Sequence, residues 1–391
     1  MRQDGLESLL APILPTGTRI IKAVHLSELW AGYGHIYRIH VEHAAPSSTS
    51  SSTDDGMVDK TYIVKTIRPP RQKGGYDEGH ARKMLSYQVE ANFYRNYADK
   101  VTSEDCCVPR LLAASSLDGG ARSEQVGQTL VLEDLSIRFP VLTEKRGTLN
   151  DAQVSKSLEW LAHFHASSWN IESCSTSDFC PPPSVAIKSA WNGSGLWQQG
   201  GYHYLATRQF ELASIDPHTD PWGQLGLHTA SDLPLAIDWC LNNPADRSRL
   251  SLIHGDVKAA NMAFSRNTSK MAMYDFQYVG IGLGVQDLAK FLTTSIPSRY
   301  LNSADGERQL LKTYHSFLLK RLPKDAKYEF EELVTDWELA LVSWVRFLAG
   351  WSGGFWGNVD WLQDRVEALL RDPEWVEGVR ERWKTARQTQ E

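Results

Sequence analysis

The sequence predicts an α+β molecule of two unequal lobes, a small antiparallel sheet carrying one helix followed by a larger, mainly helical part. Three observations lead there. The 391 residues exceed the size at which one hydrophobic core keeps growing. Strand-like patterns surround a single helical one up to Leu135, and the pattern beyond is mainly helical. The change falls at Glu133 to Leu135, dividing the chain into residues 1–134 and 135–391.

Thr18 to His25 and His35 to Glu42 cluster or alternate β-branched and aromatic residues, so they read as two strands of a hairpin, joined by the glycine-bearing turn from Trp30 to Gly34. Pro46 to Gly56 is polar and low in complexity; it cannot bury apolar surface and is expected to be a mobile loop. The next strand is Thr61 to Ile67. From Ala81 to Tyr97 the residues Leu85, Val89, Phe93 and Tyr97 recur at every fourth position, the stripe of an amphipathic helix that also carries Glu90. A strand from Thr129 to Leu132 follows the turn-rich stretch around Asp118 to Gly120. In the second lobe, Asn150 or Asp151 can cap a helix bearing Leu158, Leu161, Ala162 and His165, and long helical stretches return after Ser303. Ser173 to Leu233, rich in Gly, Pro and Trp, fits no pattern, and no internal repeat is evident.

Composition narrows the function. A hydrophobic fraction of 42% supports a real core, and a net charge of −6 offers no basic excess for a phosphate backbone, so nucleic acid is not an expected partner. No run of about 18 apolar residues suggests a membrane span, and Met1 to Pro15 lacks a signal-peptide pattern, so the expectation is a soluble, cytoplasmic protein. The five cysteines, Cys106, Cys107, Cys174, Cys180 and Cys240, show no Cys-x-x-Cys spacing and read as buried or inert thiols.

The densest chemical signal is the run from Leu252 to Phe264, containing His254-Gly255-Asp256, followed by Met271 to Gln277. Transfer of a phosphoryl group needs positioning and charge neutralisation more than covalent chemistry. Asp256 can orient and deprotonate an acceptor hydroxyl, Asn261 can hold a metal from the same loop, and Asp275 supplies a carboxylate for magnesium, a cation that prefers hard oxygen ligands. Lys258 is placed to contact the transferring phosphate. Lys65 ends the buried run Tyr62 to Lys65, within reach of α- and β-phosphates, and Glu90 on the following helix is its natural partner. Taken singly, these residues read as loop acids, a solvated lysine and a helix-surface acid. Their order and spacing together match a kinase catalytic loop and metal-binding segment.

Four segments carry a more specific likeness: Tyr87 to Tyr94, Leu130 to Leu135, His254 to Asn261, and Asp275-Phe276-Gln277 with Gln286 to Ala289. They resemble the aminoglycoside phosphotransferase and choline kinase superfamily, and look closest to its ecdysteroid-kinase-like branch, whose members phosphorylate hydroxyls of small molecules. The resemblance implies a protein-kinase-like bilobal fold, with ATP and Mg²⁺ at the lobe junction and adenine held by backbone groups around Glu133 to Leu135. It also implies that Asp287, with His254, supports the catalytic loop structurally. Two features depart from the pattern. Ala31 to His35 offers Gly32 and Gly34 for phosphate contact and not a full G-x-G-x-x-G, and Lys258 is more protein-kinase-like than is usual in that branch.

Only eleven residues separate Asp275 from Asp287, and no Ala-Pro-Glu anchor shapes a peptide site, so a small hydroxyl acceptor is favoured over protein. The alternatives are a pseudokinase-like nucleotide-binding scaffold, disfavoured because every essential group is present, and, behind it, a protein kinase. Trp337, Trp344 and Trp351 are seven apart, thus on one helical face, and Phe355, Trp356 and Trp361 follow. Trp337 and Trp344 read as core. Trp351 and Trp356, flanked by Gly350, Gly353, Gly354 and Gly357, are candidates for acceptor binding, as a cage for a cationic or flat apolar group. The sequence does not specify the acceptor or the oligomeric state.

Overall fold

The computed structural model describes residues 3–43, 58–70, 77–115, 127–171, 179–189 and 191–388. The low-complexity stretch from Pro46 to Gly56 and the turn around Asp118 to Gly120 lie outside the described residues, as does part of the Ser173 to Leu233 segment.

The first lobe is a five-stranded antiparallel sheet in the order β1-β2-β3-β5-β4, formed by β1 (Thr18–Glu28), β2 (Gly34–His43), β3 (Val58–Ile67), β4 (Leu111–Ala114) and β5 (Gln128–Glu133). On one face Tyr37, Ile39, Val41, Tyr62, Val64 and Val131 form a core with Leu6 and Leu10 of an N-terminal helix, α1 (Gln3–Leu10), that the sequence reading did not anticipate. Helix α2 (Glu78–Asn96) begins one turn earlier than its apolar stripe predicted, because the Asp77 carboxylate accepts the His80 N–H and caps it. Leu85, Val89 and Phe93 of this helix belong to the core of the second lobe, where Phe93 stacks on Phe276 at 4.0 Å. The stripe therefore ties the lobes together.

The second lobe holds helices α3 (Asp151–Ser167), α4 (Leu233–Asn242), α5 (Gly284–Thr294), α6 (Gly306–Leu319), α7 (Phe330–Gly350), α8 (Val359–Arg371) and α9 (Pro373–Gln388), counting those of eight residues or more. Asn150, and not Asp151, caps α3 through a reciprocal box with Gln153, at 3.0 and 2.9 Å. Five strands too short to show an alternating pattern, β6 (Val141–Leu142), β7 (Ser251–Ile253), β8 (Met262–Phe264), β9 (Met271–Met273) and β10 (Gly280–Gly282), form a β6-β8-β9 sheet and a β7-β10 pair. The residues expected to form a catalytic loop and a metal segment lie at the ends of these strands. Trp337 and Trp344 are fully buried, as their spacing implied. Trp351 corrects the single-face expectation: α7 stops at Gly350, where any Cβ would stand 1.9 Å from Glu211 O, and Trp351 is the extended cap. Cys106, Cys107, Cys180 and Cys240 are free and buried, and no helix among the described residues is long and apolar enough to cross a membrane.

Candidate active site

Lys65 lies on β3 opposite Ile36 and Leu130, in the middle of the sheet. Its Nζ sits 2.6 Å from Glu90 Oε2 on α2 and 3.2 Å from Asp275 Oδ1 in the second lobe. Burial would strip the ammonium of its proton, but Asp275 and Glu90 hold it charged, above the ordinary lysine value. One cation thus joins sheet, helix and the opposite lobe.

Strand β7 runs directly into His254-Gly255-Asp256, and the loop's backbone is fixed by Asp287 of α5. That carboxylate accepts the His254 N–H at 2.7 Å and the Gly255 N–H at 2.8 Å. It also accepts from His165 Nε2 at 3.1 Å, and His165 Nδ1 meets Tyr314 at 2.8 Å. His254 bonds the Tyr274 carbonyl through Nε2 and receives the Asp256 N–H at Nδ1, which defines a neutral ring protonated at Nε2. Burial agrees, holding His254 below its ordinary value despite nearby Asp287. Gly255 has φ +79°, and a Cβ there would fall 2.2 Å from Tyr278 O and 2.6 Å from Gly201 N. Only glycine fits between those backbones.

The loop delivers Asp256 into a ring of donors. Lys258 Nζ lies 2.6 Å from Oδ2, Asn261 Nδ2 bonds the Asp256 carbonyl at 2.9 Å, and Lys290 Nζ of α5 bonds Oδ1. Burial alone would raise the Asp256 carboxyl, but the two ammonium groups hold it well below the usual carboxylate range. Lys258 moves the other way: burial is outweighed by Asp256 and Asp275, which raise it. Asp275, at φ +70°, is fixed by Gln277 Nε2 on Oδ1 at 2.5 Å, and Gln277 is in turn held by the Ser86 hydroxyl of α2 at 3.2 Å. Burial raises the Asp275 carboxyl and Lys65 with Lys258 more than reverses this. Asn261 spends its amide nitrogen on Asp256 and Asp275 spends Oδ1 on Lys65 and Gln277. Asn261 Oδ1 and Asp275 Oδ2 are left as the oxygens suited to a hard divalent cation.

The junction residues Glu133 to Leu135 run from the end of β5 into the following turn. The Glu133 N–H is committed to Arg110 O at 2.9 Å, and its carboxylate to Arg138 at 2.8 Å. Asp134, between the two junction residues named from sequence, is buried and anchors the turn at Leu135 by accepting from Arg38 Nε at 2.6 Å and from Ser136 N and Oγ. Gly34 has a packing reason to be glycine, since a Cβ would lie 1.9 Å from Thr66 O. Gly32, at φ +75°, has open space around it.

Sequence reading missed Lys290 and Tyr202, and named Gln277 only as part of the Asp275 segment, without a role. Lys290 had a signal: it stands three residues after Asp287, on the same helical face, as the only cation in α5. Tyr202 lies in the illegible segment, which threads back to the site through Trp197 Nε1 on Gln277 O at 2.8 Å. Trp351 and Trp356 join Trp344 and Phe347 in a connected aromatic group, with Phe347 and Trp351 stacked at 5.5 Å and Trp344 and Trp356 edge-on at 5.5 Å. Arg146 already covers the Trp356 ring at 5.8 Å.

A bilobal α+β fold that joins a sheet lysine, a helix acid and two loop carboxylates at its cleft is of the protein-kinase-like class. The chain belongs to the phosphotransferase enzyme family, which its sequence matches over residues 53–323. It is similar in structure to an aminoglycoside-3'-phosphotransferase of type VIII, at 16% identity and a TM-score of 0.40, over 88% of this chain and 98% of that one. A choline/ethanolamine kinase family protein from Mesorhizobium loti aligns at 13% identity and a TM-score of 0.44, over 97% of this chain and 100% of that one. For an ethanolamine kinase from Plasmodium vivax the values are 10% and 0.44, over 92% and 84%. No functionally curated protein matches the sequence significantly.

Proposed function

We propose that this phosphotransferase is a kinase that moves the γ-phosphoryl group of ATP, with magnesium, onto a hydroxyl of a small molecule. The observation that carries the reading is the convergence of Lys65, Glu90 and Asp275 from both lobes beside Asp256. Asp275 and Asn261 would hold the magnesium ion, which when bound neutralises phosphate charge. Lys65 would take the α- and β-phosphates. Lys258, drawn by both Asp256 and Asp275, stands where the transferring oxygens would pass. The Leu135 turn would take the adenine, the Glu133 N–H being committed elsewhere.

Asp256 accepts the acceptor hydroxyl's hydrogen bond. As that oxygen bonds phosphorus and the bond to the ADP oxygen breaks, the proton passes to Asp256. A carboxyl held so far below the ordinary range is a poor base in the ground state, so Asp256 chiefly orients the hydroxyl and takes the proton late, which suits a loose transition state. The resemblance of the four sequence segments supports a position nearest the ecdysteroid-kinase-like branch, and the absence of an activation segment supports a small acceptor. Transfer of labelled phosphate from ATP to a panel of alcohols, sterols and sugars, beside a generic protein substrate, tests the proposal. ATP binding with no transfer to any acceptor would favour a nucleotide-binding scaffold instead.

A further inference from the structure

Asp256 stands between two cations that face different surroundings. Lys258, on Oδ2, is also drawn by Asp275 and so faces the side where Lys65 and Asp275 meet. Lys290, on Oδ1, rises from α5 and packs its ammonium 4.0 Å from the Tyr202 ring centroid and 5.6 Å from that of Trp344, with its side chain 3% exposed. On the kinase reading, with the phosphates on Lys65 and the metal on Asp275, the phosphoryl group would arrive on the first side. An acceptor hydroxyl in line with it would then approach Asp256 under the field of the Lys290 ammonium, which bonds Oδ1.

The wall around Lys290 is aromatic and cationic. Arg208 stacks over Tyr202 at 5.3 Å and Phe347 at 5.0 Å, and His203 meets Trp344 edge-on at 5.1 Å. His203 is buried, and its Nδ1 has no hydrogen-bond partner among the described residues. Burial, with Arg346 and Lys290 adding to it, keeps that ring neutral. The neighbouring carboxylates are taken: Glu78 by Arg82 at 3.3 Å, Glu211 by Arg208 at 3.1 Å, and Asp238 by the Leu205 N–H at 3.0 Å and Gln199 at 3.1 Å. An ammonium-bearing alcohol would meet a like charge beside the base and no uncommitted carboxylate among these. An alcohol without a cation would escape that repulsion and could pack on Tyr202, which is half-buried.

Resting on the kinase reading, we propose that Lys290 is a specificity-determining residue that excludes cationic acceptors, so that the natural acceptor is a hydroxyl compound carrying no positive group. This replaces the cation-cage alternative for the tryptophans with the flat apolar one.

The test compares phosphate transfer from ATP to choline and to neohexyl alcohol, its uncharged carbon isostere, and to a long-chain amino alcohol and the matching plain alcohol. Wild-type protein is expected to favour the uncharged member of each pair at least tenfold in kcat/KM. Lys290→Met and Lys290→Gln should each shift that ratio at least tenfold toward the cation, and Lys290→Arg should leave it near the wild-type value. Preference of the wild type for the ammonium compounds overturns the inference. So does an unchanged ratio in the neutral variants, or failure to use any uncharged alcohol while ATP hydrolysis still depends on Asp256. If ATP hydrolysis itself is absent or indifferent to Asp256→Asn, the kinase reading fails, and the inference with it.

Discussion

Lys65 and Asp275, 210 residues apart, meet at 3.2 Å across the cleft between the lobes. The same ammonium holds Glu90 at 2.6 Å, so two carboxylates from different elements depend on one buried cation. This contact ties the sheet to the Asp275 segment, and it requires Lys65 to keep its charge.

Lys65→Met should therefore lose most turnover and weaken ATP binding. It should also lower stability by about 3–5 kcal/mol, since it strands buried carboxylates. Urea denaturation and ATP titration read the two effects separately. In a double variant with Glu90→Gln the stability losses should fall well short of additive, because both substitutions remove the same pair.

Gly255→Ala adds one methyl where Tyr278 O and Gly201 N leave no room. The variant is expected to lose about 1–3 kcal/mol from overpacking, with further strain from the positive φ. Because the displaced backbone carries Asp256, kcat should fall while ATP affinity stays close to wild type. Equal stability and equal kcat would show that the loop is not clamped as described.

The charged cluster predicts opposite effects at the two ends of the pH scale. Burial favours the neutral carboxyls of Asp256 and Asp275, but the lysines overcome it and hold both below the ordinary value of 3.8. Folded carboxyls that bind protons less readily than unfolded ones give stability that is complete above that value and is lost as pH falls through it. Lys290 is the reverse case, since burial pulls it from 10.5 down to about 8 although Asp256 opposes the change. Between those two values the unfolded lysine holds its proton and the folded one does not, so stability should rise with pH across that window. Denaturant midpoints across pH should show the acid loss in the wild type and a smaller loss wherever one of Lys65, Lys258 or Lys290 is replaced by a neutral residue. The Lys290 contribution to the alkaline rise should vanish in Lys290→Met.

Much of this architecture could be read from residue patterns. The long strands showed period two and α2 showed a four-residue stripe, because one face of each is apolar. Lys65, Glu90, Asp256, Asn261 and Asp275 stood at recognisable spacings, and the fold brings them together. The short strands were invisible, since three residues cannot display a period. Lys290 was passed over although it is the only cation of its helix, because that signal names no partner and only folding brings it against Asp256. Tyr202 and His203 sit in turns whose conformation depends on contacts with Gly255 and Trp344, distant in sequence. The two glycines near Trp30 looked alike in sequence. Only Gly34 is demanded by packing, and that depends on the approach of β3.

The central claim is that Asp256 receives the acceptor proton, and single-turnover phosphate transfer by Asp256→Asn tests it most directly. The account predicts that the variant binds ATP as the wild type does and transfers phosphate roughly 10²–10⁴-fold more slowly, the loss expected when a positioned general base is removed. Transfer at a near-normal rate would contradict it and take Asp256 out of the mechanism.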